Sequence, residues 1–146
     1  MSNAPGVAVE ENVARVVEHM VKALNAHDVE KLVALFTADY EGIDVNQPMP
    51  QHGRGEARMV MEIYFQAFPD LRMVEHEAVI EGDRAAIMWT AQGTHLGSIM
   101  HIPPTGKQVE VRGSTVLHLN GSRIFRAVTV WDVAAMLREI GLLPEL

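Results

Sequence analysis

Apolar residues recur at helical spacing from Val13, at Val16, Val17, Met20 and Leu24. One face of a helix is therefore expected to be buried there. Asp28 has the character of an N-cap before Val29, Leu32, Val33 and Phe36, a short second helix. A third helix is predicted from about Gly55 to Phe68, with Val60, Tyr64, Ala67 and Phe68 on one face, and Pro69 stops it. The period then changes. "MVEHEAVIE" alternates and runs into a Gly82-Asp83 turn, and "AAIMWTAQGTH" is a longer, more apolar strand. "SIMHIPPTGKQ" reads as a loop broken by Pro103, Pro104 and Gly106. "VEVRGSTVLHL" and "RIFRAVTVW" flank Asn120-Gly121, the strongest hairpin signal in the chain. A last helix is expected over about Val133 to Ile140, with Gly141 at C′ and Pro144 beyond.

Helices first, then strands, then one helix predict an α+β fold rather than alternating βαβ units. The expected architecture is a curved antiparallel sheet packed on the N-terminal helices, one domain over residues 1–146. A sheet half-closed over helices leaves a pocket at one end, mainly apolar with a few polar groups.

The 146 residues are 48% apolar and 21% charged, an ordinary globular balance. A net charge of −7 without a cluster of Lys and Arg argues against nucleic acid as a partner. No apolar run is long enough for a membrane span. The start, "MSNAPGVAVEEN", lacks the basic residues and apolar core of a signal peptide, so the expected location is cytoplasmic. With no Cys, thiolate nucleophiles, disulfides and Cys-based zinc sites are excluded.

Asp132 stands where "VTVW" turns into "VAAML". It reads as an N-cap, an acid/base group, or both, since one carboxylate oxygen can cap while the other faces a cavity. None of the seven His residues has the spacing to another His and a carboxylate that a zinc site on one element needs, so no metal is expected. His95 in "GTHLG" and His118 in the hairpin are the two positioned to line a cavity, although a structural role is the commoner fate of a single His. No Ser lies in a nucleophile elbow and no Gly-rich segment has a nucleotide-binding context, so no cofactor is implied. The Met residues and Trp89 read first as core or pocket lining.

Three segments together resemble a known family. They are "AFPDLRMVEHEAVIEGDRAAIMWTAQGTHLG", "PPTGKQVEVRGSTVLHLNGSRI" and "VWDVAAMLREIGLLP". Their order of AFPD, GD, GTH-x-G, PPTG, W-D and a final L-x-x-x-G-x-x-P is similar to that of the SnoaL-like polyketide cyclases. These belong to the nuclear transport factor 2-like superfamily. The resemblance implies a cone-shaped α+β barrel that pairs through its sheet. It also implies ring closure by intramolecular aldol condensation without metal or cofactor. The family's acid/base residue falls on Asp132, and a carbonyl-binding His falls on His118. The chain departs from the family at Arg126, where relatives carry an acid, and at Val128, where they carry Trp. It also lacks the His often found after the first strand, in "DYEGIDVNQP".

The expected function is therefore a small cofactor-independent enzyme, of lyase or isomerase type, acting on an apolar carbonyl compound. Asp132 and His118 are the catalytic candidates. Tyr64, Phe68, Trp89, His95, Arg126 and Val128 are the binding candidates. The rival is a non-catalytic ligand-binding or dimerisation module, favoured if Arg126 pairs with Asp132. A related isomerase or hydroxylase is the nearer alternative. Whether His118 and Asp132 share a face depends on the hairpin. A loop of Asn120 and Gly121 separates them, and a loop extended through Ser122 joins them. Apolar matching favours the first and the resemblance implies the second. Apolar residues on both faces of the last two strands predict a homodimer joined by the sheet face that no helix covers.

Overall fold

The computed structural model describes residues 5–146, so the first four residues of the segment read for a leader lie outside it. Helices α1 (Pro5–Asn25) and α2 (Val29–Val33) precede strands β1 (Phe36–Asp44) and β2 (Gln51–His52). Helix α3 (Gly53–Ala67) follows, then β3 (Arg72–Glu81), β4 (Arg84–Thr94), β5 (Gln108–Asn120), β6 (Arg123–Trp131) and helix α4 (Val133–Glu139). The α+β class stands. The order is corrected by β1 and β2, which intervene before α3. In "FTADYEGID" only Phe36, Tyr40 and Gly42 are buried. The apolar alternation that marks a strand is therefore thin there.

The strands form one six-stranded sheet in the order β2-β1-β6-β5-β4-β3. It is mixed, which corrects the antiparallel expectation: β1 lies parallel to β6, and the other pairs are antiparallel. Hairpins force antiparallel neighbours, but most of the chain connects β1 to β6, so their direction is free. The inner face presents Ile87, Leu117, Leu119 and Ile124, all fully buried, toward the helices and their Val13, Val16 and Leu32. Each such side chain contributes on the order of 2 kcal/mol by leaving water.

Asp28 caps α2 as expected, accepting from the Lys31 N–H at 3.0 Å. The Gly82-Asp83 turn also forms, with Gly82 at φ +57°. The β5–β6 hairpin adopts neither expected register. Asn120 pairs with Arg123 around a Gly121-Ser122 loop, and Leu119 pairs with Ile124. One residue, Phe125, is then bulged out, so that His118 pairs with Arg126. The bulge has a packing reason. It allows Ile124 before it and Ala127 after it both to point inward, and both are buried.

Residues 95–107 join β4 to β5 and dock on the end of α3. The N–H groups of Leu96 and Gly97 both donate to the Ala67 carbonyl, at 2.9 and 3.1 Å. No helix among the described residues is long and apolar enough to cross a membrane.

Candidate functional site

Strands β1, β4 and β6 end, and β5 begins, at one end of the sheet. There Asp44 lies beside Thr129, Trp131 beside Gly113, and Gln92 beside Glu110. The inner face at this end meets Met20 of α1, Tyr64 and Phe68 of α3 and Met136 of α4 around a cavity of about 230 Å³. Strands from β1 to β3 all contribute lining, so the sheet wraps around the space. The walls are mostly apolar, and Asp44 is the one carboxylate among the described residues that line them.

Alternation along β1 puts Asp44 on the same side as Tyr40 and Gly42. The next residues turn away: the Asn46 N–H donates to Asp44 Oδ1 at 2.9 Å, and the Gln47 N–H donates to the Asp44 carbonyl at 2.9 Å. Asp44 Oδ2 accepts from Trp131 Nε1 at 3.0 Å and from the Tyr64 hydroxyl at 3.3 Å. Three donors thus fix the carboxylate, and Oδ1 keeps a lone pair free. Burial first, then the charge of Asp44 and its hydrogen bond, push the Tyr64 hydroxyl well above the usual phenol range. Tyr64 therefore stays protonated and remains a donor.

Two tryptophans flank Gly113, which pairs with Trp89 on one side and Trp131 on the other. A Cβ at Gly113 would lie 2.4 Å from the nearest atom of the Trp89 ring and 2.9 Å from Trp131 Cβ. Each indole N–H finds a different oxygen. Trp131 reaches Asp44, and Trp89 donates to Thr115 Oγ1 at 3.0 Å. Thr115 Oγ1 lies in turn 3.0 Å from Thr129 Oγ1, and both hydroxyl-bearing residues line the cavity.

The residues singled out in the sequence divide into two groups. Tyr64, Phe68 and Trp89 line the cavity. The placement of Asp132 differs from the expectation. It is exposed, it caps α4 by accepting from the Ala135 N–H at 2.9 Å, and it does not line the cavity. His118 also lies outside. It alternates with the buried Leu117 and Leu119, so it points from the outer face, beside Phe125 at 5.9 Å between ring centres. Arg126 and Val128 share that outer face, pairing across the sheet with His118 and Val116. Arg126 approaches Glu41 at 3.3 Å, not Asp132, and its Nε lacks the alignment of a hydrogen bond. His95 is 0% exposed and tilts against Phe68, 5.7 Å away. Its Nδ1 accepts from the Thr105 N–H at 3.2 Å, so it pins the β4–β5 loop and is not part of the lining.

His118 and Asp132 fail to reach the cavity for one reason. The buried set of β5 and β6 is Leu117, Leu119, Ile124 and Ala127, and alternation then sends His118, Arg126 and Val128 the other way. Asp44, Trp131, Thr115 and Thr129 were not singled out. The available signal was the even spacing of Tyr40, Gly42 and Asp44 before the turn in "DVNQP". Among the described residues, no three His, Asp or Glu side chains gather as a metal site requires.

A curved, unclosed mixed sheet over helices, with a cavity at its open end, places the chain in the ketosteroid isomerase-like, nuclear transport factor 2-like class of α+β domains. A candidate SnoaL-like polyketide cyclase from Jannaschia sp. CCS1 superposes with a TM-score of 0.85 at 20% identity, covering 99% of each chain. IdmH, a candidate polyketide cyclase from Streptomyces antibioticus, gives 0.76 at 26% identity, covering 88% of this chain and 98% of its own. AclR from Streptomyces galilaeus, a candidate hydroxylase, gives 0.83 at 23% identity, covering 94% of this chain and 85% of its own. No functionally curated protein matches the chain in sequence. The model of the SnoaL-like polyketide cyclases matches residues 14–140, and the chain belongs to that family.

Proposed function

We propose that this chain is a cofactor-independent acid/base enzyme for an apolar, carbonyl-bearing compound. The reaction is of the intramolecular aldol type that closes a polyketide ring, and Asp44 moves the proton. The observation that carries this reading is Asp44, the single carboxylate among the described residues that line an apolar cavity, oriented by Trp131 and Tyr64. A proton between two carbonyls passes to Asp44, leaving an enolate. The enolate carbon attacks a second carbonyl of the same molecule, and the new alkoxide takes the proton back. One carboxylate serves both transfers, and no electrons are gained or lost overall. Asp132 enters this reading as the cap of α4, the helix that brings Met136 to the cavity.

The test follows exchange of the α-hydrogens of 2-tetralone, a flat two-ring ketone, in heavy water by proton NMR. Wild type should accelerate exchange above the buffer rate. Asp44→Asn should lose a factor of about 10²–10⁴, the usual worth of a positioned acid/base group. Wild-type exchange in Asp44→Asn overturns the assignment of Asp44. Binding of the ketone by wild type without accelerated exchange would instead support a ligand-binding module.

A further inference from the structure

We infer that Thr115 and Thr129, oriented by Trp89, seat the carbonyl oxygen of the compound whose proton Asp44 removes; the inference rests on the acid/base reading above. It follows from counting protons. An indole N–H can only donate, whereas a hydroxyl donates once and also accepts. Trp89 Nε1, Thr115 Oγ1 and Thr129 Oγ1 carry one such proton each, and they form two hydrogen bonds, both 3.0 Å long. Whichever hydroxyl donates to the other, one O–H proton is left without an acceptor among the described residues. Both hydroxyls belong to the cavity lining, so that proton is offered to whatever fills the cavity.

The position of this spare donor is specific. Thr129 is the cross-strand partner of Asp44, and neighbouring strands lie about 4.8 Å apart. A donor and a carboxylate side by side can engage a carbonyl oxygen and the α-hydrogen next to it in one molecule. The donor then faces the atom on which negative charge develops when the proton leaves, where preorganised donors stabilise enolates most. Trp89 supports the arrangement because its indole occupies one acceptor position of Thr115 and holds that hydroxyl in place. Gly113 makes room for the indole. The ligand class that follows is a flat ketone, or an enolised 1,3-dicarbonyl, with its oxygen on the threonine pair and its acidic carbon toward Asp44.

The pair makes an unusual prediction for mutants. Removing the Thr129 hydroxyl leaves the Thr115 proton spare. Removing the Thr115 hydroxyl leaves the Thr129 proton spare and sets the Trp89 N–H against a valine methyl that shields it from the cavity, so both hydroxyls must be removed together. Valine keeps the shape of threonine and suits a strand, so Thr115→Val with Thr129→Val preserves the cavity. The probe is 2-tetralone, with tetralin, which lacks the oxygen, as the control for shape. In wild type the infrared carbonyl stretch of bound 2-tetralone should fall below its value in hexane, as hydrogen bonding requires. In the double valine variant the stretch should return to the hexane value. Affinity for the ketone should drop about tenfold, the order expected for one hydrogen bond left unmade. Affinity for tetralin should stay the same. The Thr115→Ser, Thr129→Ser double variant should keep the lowered stretch. Asp44→Asn should also keep it while losing exchange, so the seat and the acid/base reading fail separately. A double valine variant with wild-type stretch and affinity overturns the inference. So does wild-type protein that fails to bind 2-tetralone or binds it with the hexane stretch.

Discussion

Asp44 and Asp132 are the same side chain at the ends of neighbouring parallel strands, and their surroundings give them different work. Asp44 is the last residue of β1, on its inner side, and takes three hydrogen bonds at the cavity wall. Asp132 follows the last residue of β6, and its carboxylate takes the Ala135 N–H in solvent. A cap does not require a charge. Asn serves nearly as well as Asp, whereas Ala costs about 1 kcal/mol. Asp132→Ala should therefore lower the melting temperature by about 3 °C, given the scaling for domains near this size. Asp132→Asn should melt as wild type does and keep full exchange of 2-tetralone. Loss of exchange in Asp132→Asn would return the acid/base role to Asp132.

At the scale of the element, β5 organises the site through what it lacks. Its middle residue toward the cavity is Gly113, in a strand interior where glycine ordinarily weakens packing. In "VEVRGSTVLHL" this glycine signals a close approach, and the approaching groups are two tryptophans. Gly113→Ala should overpack the site, costing about 1–3 kcal/mol. It should also displace the Trp89 indole from Thr115, which near-ultraviolet circular dichroism reports as a changed tryptophan band. An alanine variant with unchanged spectrum and melting would mean that the Trp89 indole has room to spare. The bulge at Phe125 is the other decisive local feature. Without it, the residues after Ile124 would exchange faces, and Ala127, Thr129 and Trp131 would leave the cavity.

At the scale of the molecule, the sheet has a face that no helix among the described residues covers. Across it Val79, Ala86, Val116 and Val128 form one row, and Met88, Ser114 and Val130 form another. Val79 is 60% exposed, and Met88 and Val130 are each 52% exposed. We propose that a second copy of the chain covers this face. Sedimentation equilibrium at micromolar concentration should then give the mass of two chains. Met88→Lys with Val130→Lys should give one chain, because lysines in the middle of an apolar interface must be desolvated without partners. Wild-type protein sedimenting as a single chain would rule this out.

Val16, Val17, Met20 and Leu24 marked α1, the alternations marked β3 to β6, and Asp28 and Asp132 marked the caps. All of these rest on interactions within a few residues, which a linear pattern carries directly. The set of AFPD, PPTG and W-D motifs was enough for the family, because it spans the elements that set the fold. Which carboxylate reaches the cavity was a different kind of question. It depended on β1 settling parallel to β6, on one bulged residue in a hairpin, and on a glycine between two tryptophans. Each of these is fixed by burial summed over distant segments. A shift of a single residue reverses every side chain beyond it, and the local pattern is nearly the same for either outcome.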